Sequence, residues 1–156
     1  MKVMQIIDNV EKIKIARYIL ESLQLWFSNP DAREEYIKNS VKMIFLSAFD
    51  ENRPVGFIGM QETGKDTIEI SVMGVLEEYH RTGTGRSLFE HAKNIACESG
   101  YSFMQVKTLQ MGRNVHYDKT NLFYQALGFK EFEIIPTLWN EENPCQIYVM
   151  SLGYDR

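Results

Sequence analysis

The apolar positions of this chain switch repeatedly between a helical period and a strand-like one. From about residue 11 to residue 27, Ile15, Ile19, Leu20, Leu23, Trp26 and Phe27 recur at helical spacing and predict a first helix. Asn29-Pro30-Asp31 reads as a cap followed by proline at the first helical position, with a second helix running through Tyr36, Ile37 and Val41. Strand-like runs follow at 43–49 and 54–62, joined by a hairpin turn at Glu51-Asn52-Arg53. After a turn at 63–66, residues 67–75 alternate in part, with Ile68, Ile70, Val72 and Met73 apolar. The clearest helix spans 84–98: Leu88, Phe89, Ala92, Ile95 and Ala96 share one face, Arg86, Glu90, Lys93 and Glu98 the other, and Gly100 ends it. A buried strand is predicted at 102–109 and a short helix at 120–127, stopped by Gly128. Strands at 129–135 and 146–152 enclose a loop at 136–144, and residues 2–7 form a short first strand.

Antiparallel meanders beside strand–helix–strand crossovers imply an α/β (α+β) chain: a mixed, mostly antiparallel central sheet with helices on both faces. The length of 156 residues fits a single domain, 1–156, with one core. Hydrophobic residues at 44% and charged residues at 24% are an ordinary globular balance. A net charge of -4 argues against nucleic acid as the main partner, because phosphate binding needs a basic face. Cys97 and Cys145 form neither a CxxC nor a disulfide framework, and His80, His91 and His116 lack metal spacing, so no metal is expected. His91 is read as a helix surface residue and Cys97 as a small buried one. With no signal-like apolar stretch at the start and no window of ~20 apolar residues, the expectation is a cytoplasmic protein without a membrane partner.

The segment Val75-Leu76-Glu77-Glu78-Tyr79-His80-Arg81-Thr82-Gly83-Thr84-Gly85-Arg86 joins a strand to the best helix. Glycines spaced by one residue allow positive φ and close approach of a ligand. The helix start leaves amide donors without partners, and its dipole adds to an anion site. Thr82 and Thr84, with Arg81 and Arg86, are candidates to reinforce it, and a diphosphate suits it. A nucleotide P-loop would need Gly-Lys-Ser/Thr, and a dinucleotide fingerprint a third glycine where Leu88 stands. Coenzyme A, with its pyrophosphate, remains; a tight turn that binds nothing is the plain alternative.

Val75, Tyr79, Arg81, Gly83, Gly85 and Leu88, spaced as they are, resemble the acetyl-CoA signature of the GNAT superfamily of N-acetyltransferases, with His80 where that pattern has Gln or Arg. Asn121-Leu122-Phe123-Tyr124-Gln125-Ala126-Leu127-Gly128-Phe129 resembles the other hallmark, Phe-Tyr-x-x-Leu-Gly-Phe. The order and separation of the motifs also match, so the resemblance spans essentially the whole chain. It implies a GNAT-like sheet, acetyl-CoA as cosubstrate, and direct transfer to an amine without an acyl-enzyme. It also implies that the pantetheine arm pairs with the backbone around Met73 and Val75 where strands 67–75 and 102–109 splay, near a bulge at 73–75.

By the same resemblance Tyr124 lies near the coenzyme sulfur, where a phenol can protonate a leaving thiolate; the alternative is a packing role with its hydroxyl satisfied by backbone. Glu69 occupies a place where a glutamate serves as base in several relatives, and without a bulge it would share a face with Ser71 and Met73; a solvated strand residue is the other reading. For the acceptor the candidates are Trp26, Phe27 and His116, with Tyr117 beside it, and Trp139, Glu141, Glu142 and Tyr148 on a second wall. Aromatics with carboxylates suit a cationic amine, of a small molecule or a peptide. A homodimer is compatible with the reading. A non-catalytic acyl-CoA sensor on the same fold is the rival, needing Gly83 and Gly85 but neither Glu69 nor Tyr124.

Overall fold

The computed structural model describes residues 1–153. In chain order these form β1 (Lys2–Ile6), α1 (Asn9–Ser22), α2 (Pro30–Asn39), β2 (Ile44–Asp50), β3 (Arg53–Gly64), β4 (Thr67–Val75), α3 (Thr84–Glu98), β5 (Phe103–Leu109), α4 (Val115–Leu127), β6 (Lys130–Asn140) and β7 (Asn143–Ser151). The strands make one sheet in the order β1-β2-β3-β4-β5-β7-β6. Only β4 and β5 run parallel, so the sheet is mixed and mostly antiparallel, as the sequence pattern implies.

Helices flank both faces, and two glycines show how closely. Gly56 pairs with Val75 and Phe57 with Gly74, so these neighbouring rungs point to opposite faces. A Cβ on Gly74 would lie 3.0 Å from Ile19 of α1 and from Leu23 just past its end, whereas one on Gly56 would lie 3.2 Å from Leu88 of α3. The apolar stripe of α1, Ile15, Ala16, Ile19 and Leu20, is thus buried against one face, and Leu88 and Phe89 of α3 are buried against the other.

Local chemistry sets the helix ends. Asp8 caps α1 by accepting from the Glu11 amide at 2.9 Å. Asn29 caps α2 by accepting from the amides of Asp31 and Ala32 at 2.9 and 3.0 Å, with Pro30 following as predicted. The first helix ends at Ser22, short of the predicted 27. The amides of Trp26 and Phe27 both turn back onto the Leu23 carbonyl, at 3.1 and 2.9 Å. Their apolar spacing continues past the helix because the loop still packs them against the core. Helix α4 starts at Val115 rather than 120, because the Asn114 side chain accepts from the amides of His116 and Tyr117. The predicted loop at 136–144 is mostly a long β6–β7 hairpin, whose turn is held by Asn140 accepting from the amides of Glu142 and Asn143. Pro136 misled that reading; β6 is the edge strand, where a missing N–H costs nothing.

Candidate active site

The parallel pairing of β4 and β5 is short. It runs from Thr67↔Phe103 to Ile70↔Val106 and stops there, leaving the edge of β4 from Ser71 to Val75 without a strand partner. Leu76 donates to Val55 of β3 at 2.9 Å, so by strand alternation the backbone groups of Gly74 also point toward β3, and those of Met73 and Val75 point into the gap. A cleft of about 830 Å³ fills this gap and reaches from the α1–α2 loop to the starts of α3 and α4.

At one end of the cleft stands the glycine turn. Gly83, with φ 88°, precedes α3, and Arg81 also takes a positive φ of 63°. The first helical bond runs from the Ser87 amide to the Gly83 carbonyl at 2.9 Å. Among the described residues no acceptor meets the backbone amides from Arg81 to Arg86, and no side chain caps the helix. This run of free donors at a positive helix end fits a pyrophosphate. Gly85 faces the cleft, and a Cβ there would stand 3.0 Å from the Phe123 ring of α4.

The side chains expected to help the amides are mostly engaged elsewhere. Thr82 donates to the Tyr79 carbonyl and its hydroxyl lies 2.8 Å from that of Thr84, which is 1% exposed. Arg86 donates to the Ala126 carbonyl at the end of α4, at 3.2 Å. The His80 ring lies with Nε2 2.7 Å from the Val75 carbonyl. A carbonyl only accepts, so His80 must donate through Nε2, and it takes up a backbone group expected to serve a ligand. Thr82, Thr84, Arg86 and His80 therefore shape the loop, and Arg81 is the cation of this turn that lines the cleft.

Tyr124 lines the cleft from α4 and is 7% exposed. Its ring packs on Phe129 and Phe123, and its hydroxyl has no hydrogen-bond partner among the described residues. Burial, and then the nearness of Tyr117 and Tyr36, push its pKa well above the ordinary phenol value. Tyr36 and Tyr117 are half-buried on the same wall: Tyr36 is raised by burial and then by Glu69, and burial pushes Tyr117 up to about 12. Of the three hydroxyls, Tyr117 donates to the Trp26 carbonyl, while those of Tyr36 and Tyr124 have no partner among the described residues.

Glu69 does not share a face with Met73. Val72 pairs with Gly59 and Ile70 with Met60, so Ser71 is an extra residue: a bulge sits at 71, not at 73–75. The bulge turns Glu69 and Ser71 toward the α1–α2 face, where Ser71 donates to Gln61 at 3.3 Å. Met73 stays on the α3 side, 3.6 Å from where a Gly85 Cβ would be. The Glu69 carboxylate is bound at 2.7 Å by the Lys107 ammonium of β5. Lys107 lines the cleft, and Glu69 stands directly behind it.

Of the candidates for an acceptor wall, Trp26, Phe27 and Trp139 line the cleft. His116 contributes from behind Trp26, with ring centroids 5.0 Å apart. Glu141 and Glu142 sit exposed at the hairpin turn and do not line it, and Tyr148 is fully buried, its hydroxyl bound to Asn121 at 2.7 Å. Sequence reasoning missed Arg33, Tyr36, Lys107 and Lys119, all on the cleft wall. For Lys107 a signal existed: a lone charge inside the apolar run of β5.

Among the described residues no group of His, Cys, Asp and Glu side chains is placed to hold a metal, and no helix is long and apolar enough to cross a membrane.

Comparison with known proteins places this geometry. The family model of the acetyltransferase (GNAT) domain matches residues 42–131, which hold the glycine turn, the splayed strands and Tyr124. The chain belongs to the GNAT acetyltransferase family. No curated relative matches it. A GNAT-family protein from Desulfovibrio desulfuricans superposes with a TM-score of 0.82 at 15% identity, covering 97% of this chain and 99% of that one. An aminoglycoside 6'-N-acetyltransferase solved with coenzyme A gives 0.77 at 15% identity over 100% and 99%. The ribosomal-protein-S18-alanine N-acetyltransferase of Escherichia coli gives 0.75 at 17% identity over 99% and 97%. At these identities the likeness speaks for the fold.

Proposed function

We propose that this protein is an acetyl-CoA-dependent N-acetyltransferase that acetylates a primary amine of a small molecule or peptide by direct attack. The observation that carries the reading is the continuity of one cleft: free amides from Arg81 to Arg86 at one end, the unpartnered β4 edge along its length, and the Tyr124 hydroxyl on its wall. The coenzyme supplies an activated acyl group as a thioester. The amides and Arg81 hold its pyrophosphate, and the Met73 and Val75 amides pair with its arm as an added strand. A backbone N–H of that edge polarises the thioester carbonyl.

The acceptor nitrogen bonds to the acyl carbon as the carbon–sulfur bond breaks, and Tyr124 gives its proton to the departing sulfur. A raised pKa weakens Tyr124 as an acid in absolute terms. The same partly desolvated wall raises the pKa of a thiol leaving beside it as well, so the two shifts offset one another. The proton shed by the acylated nitrogen passes through water to the free oxygen of Glu69, and solvent restores both groups.

Calorimetry with coenzyme A tests the first half, with saturable binding expected. A thiol-release assay over an amine panel tests the second. Coenzyme binding without turnover on any amine would leave a sensor; no binding at all removes the reading.

A further inference from the structure

The charged side chains on the cleft wall are Arg33, Arg81, Lys107 and Lys119, and among the described residues no Asp or Glu joins them. Composition does not explain this, since the chain carries 21 acidic residues against 17 Lys and Arg. Arg81 belongs to the amide-lined turn. Lys119 stands one helical turn before Phe123, whose ring abuts Gly85, so it too faces the coenzyme's phosphates. Lys107 is balanced by Glu69 at 2.7 Å.

Arg33 is left over. It lies on α2 one turn before Tyr36, on the α1–α2 side where the acceptor must approach. One nitrogen, Nη1, donates to the Phe27 carbonyl at 2.8 Å and fixes the guanidinium; Nε and Nη2 have no partner among the described residues. Beside it Phe27 and Tyr36 meet edge to face at 5.9 Å, forming an aromatic corner, and Trp139 completes the wall.

Resting on the acetyltransferase reading above, we propose that the acceptor is an amine that carries its own oxyanion on an apolar or aromatic body, and that Arg33 receives the oxyanion. A guanidinium with free donors in a fixed fork matches a carboxylate or a phosphate. A polycationic acceptor would meet Arg33, Arg81 and Lys119 with no carboxylate on the wall itself, a repulsive element that discriminates against it. The same cations favour the neutral form of the attacking nitrogen, the form that reacts.

The test is thiol release from acetyl-CoA with matched acceptors: an aromatic amino acid, its amide, its aminophosphonate analogue, and a polyamine. The carboxylate is expected to exceed its amide by about tenfold or more in kcat/KM, the scale of one hydrogen bond to a charged group. Arg33→Gln should collapse that ratio toward one, and Arg33→Lys should keep part of it. The amide's own rate reports any damage from losing the Phe27 contact. A phosphonate that outruns the carboxylate supports the oxyanion site and fixes its source as phosphate. A polyamine or amide that reacts as fast as both anions, or a preference that survives Arg33→Gln, overturns the proposal while leaving the acetyltransferase reading standing. Absence of coenzyme binding by calorimetry removes both.

Discussion

Trp26 and His116 hold each other behind the cleft wall: the indole Nε1 donates to the His116 carbonyl at 3.2 Å, and the rings meet at 5.0 Å. Tyr117 returns the tie by donating to the Trp26 carbonyl, and the other side of Trp26 meets the His80 ring at 5.4 Å. The α1–α2 loop, the glycine turn and the start of α4 are thereby joined through one side chain. Trp26→Ala removes the indole donor and both ring contacts. Because Trp26 is only half-buried, the expected loss is roughly 1–3 kcal/mol, seen as a Tm lowered by several degrees. KM for acetyl-CoA should rise with it. A variant with unchanged Tm and KM would show that the latch holds nothing.

Tyr124→Phe keeps the ring packed against Phe129 and removes only the hydroxyl. The expected result is a kcat lower by on the order of 10²-fold, the usual contribution of a positioned acid, with coenzyme affinity unchanged. Full turnover in Tyr124→Phe ends the acid assignment.

The glycine turn offers a contrast between adjacent sites. Gly83 sits at φ 88° with nothing within 4 Å of an added Cβ, so Gly83→Ala is strained without a clash. It should cost about 1–2 kcal/mol and weaken coenzyme binding by distorting the amide run. Gly85→Ala has ordinary helical geometry but places a Cβ 3.0 Å from the Phe123 ring. Its effect should appear mainly in coenzyme affinity as that ring shifts, with little loss of Tm. Equal Tm losses in the two variants would contradict this division.

What the sequence showed and hid follows from range. The glycine turn and the Phe123-Tyr124 helix are local, contiguous patterns, and their backbone consequences, a positive φ at Gly83 and a cap at Gly128, were legible. The bulge at Ser71 was not, because it exists only in the register between β4 and β3. That one unpaired residue separated Glu69 from Met73. The Glu69–Lys107 pair joins positions 38 apart, and Arg33 reaches the cleft only because Asn29 and Pro30 fix where α2 begins. The carboxylate wall expected from Glu141 and Glu142 failed because the hairpin turn carries them past the cleft.

Glu69 and Lys107 also allow a test of the base. Their side chains are 15% and 31% exposed, so the pair is partly screened, and Glu69→Gln should cost no more than about 1 kcal/mol of stability. Its larger effect should be on rate, lowering kcat about tenfold or more with coenzyme affinity unchanged. Lys107→Gln frees the carboxylate and should keep most of the turnover. If Glu69→Gln keeps full turnover, the proton goes elsewhere.

Burial of the tyrosines around the cleft predicts a loss of stability at alkaline pH. Tyr36, Tyr117 and Tyr124 all have pKa values raised by burial, Tyr117 to about 12. In the unfolded chain each ionises near the ordinary value of about 10. Below that pH both states keep the protons and the stability is fully present. As pH rises through about 10 toward the folded values, the unfolded state sheds protons first and stability falls. Phenolate absorbance and circular dichroism followed together against pH should therefore show the exposed tyrosines titrating without structural change. The buried ones should then ionise in step with unfolding. Tyr124→Phe should shrink that second, cooperative step. If all 8 tyrosines titrate near their ordinary value with the dichroism intact, water reaches the cleft wall freely and burial does not hold the Tyr124 proton.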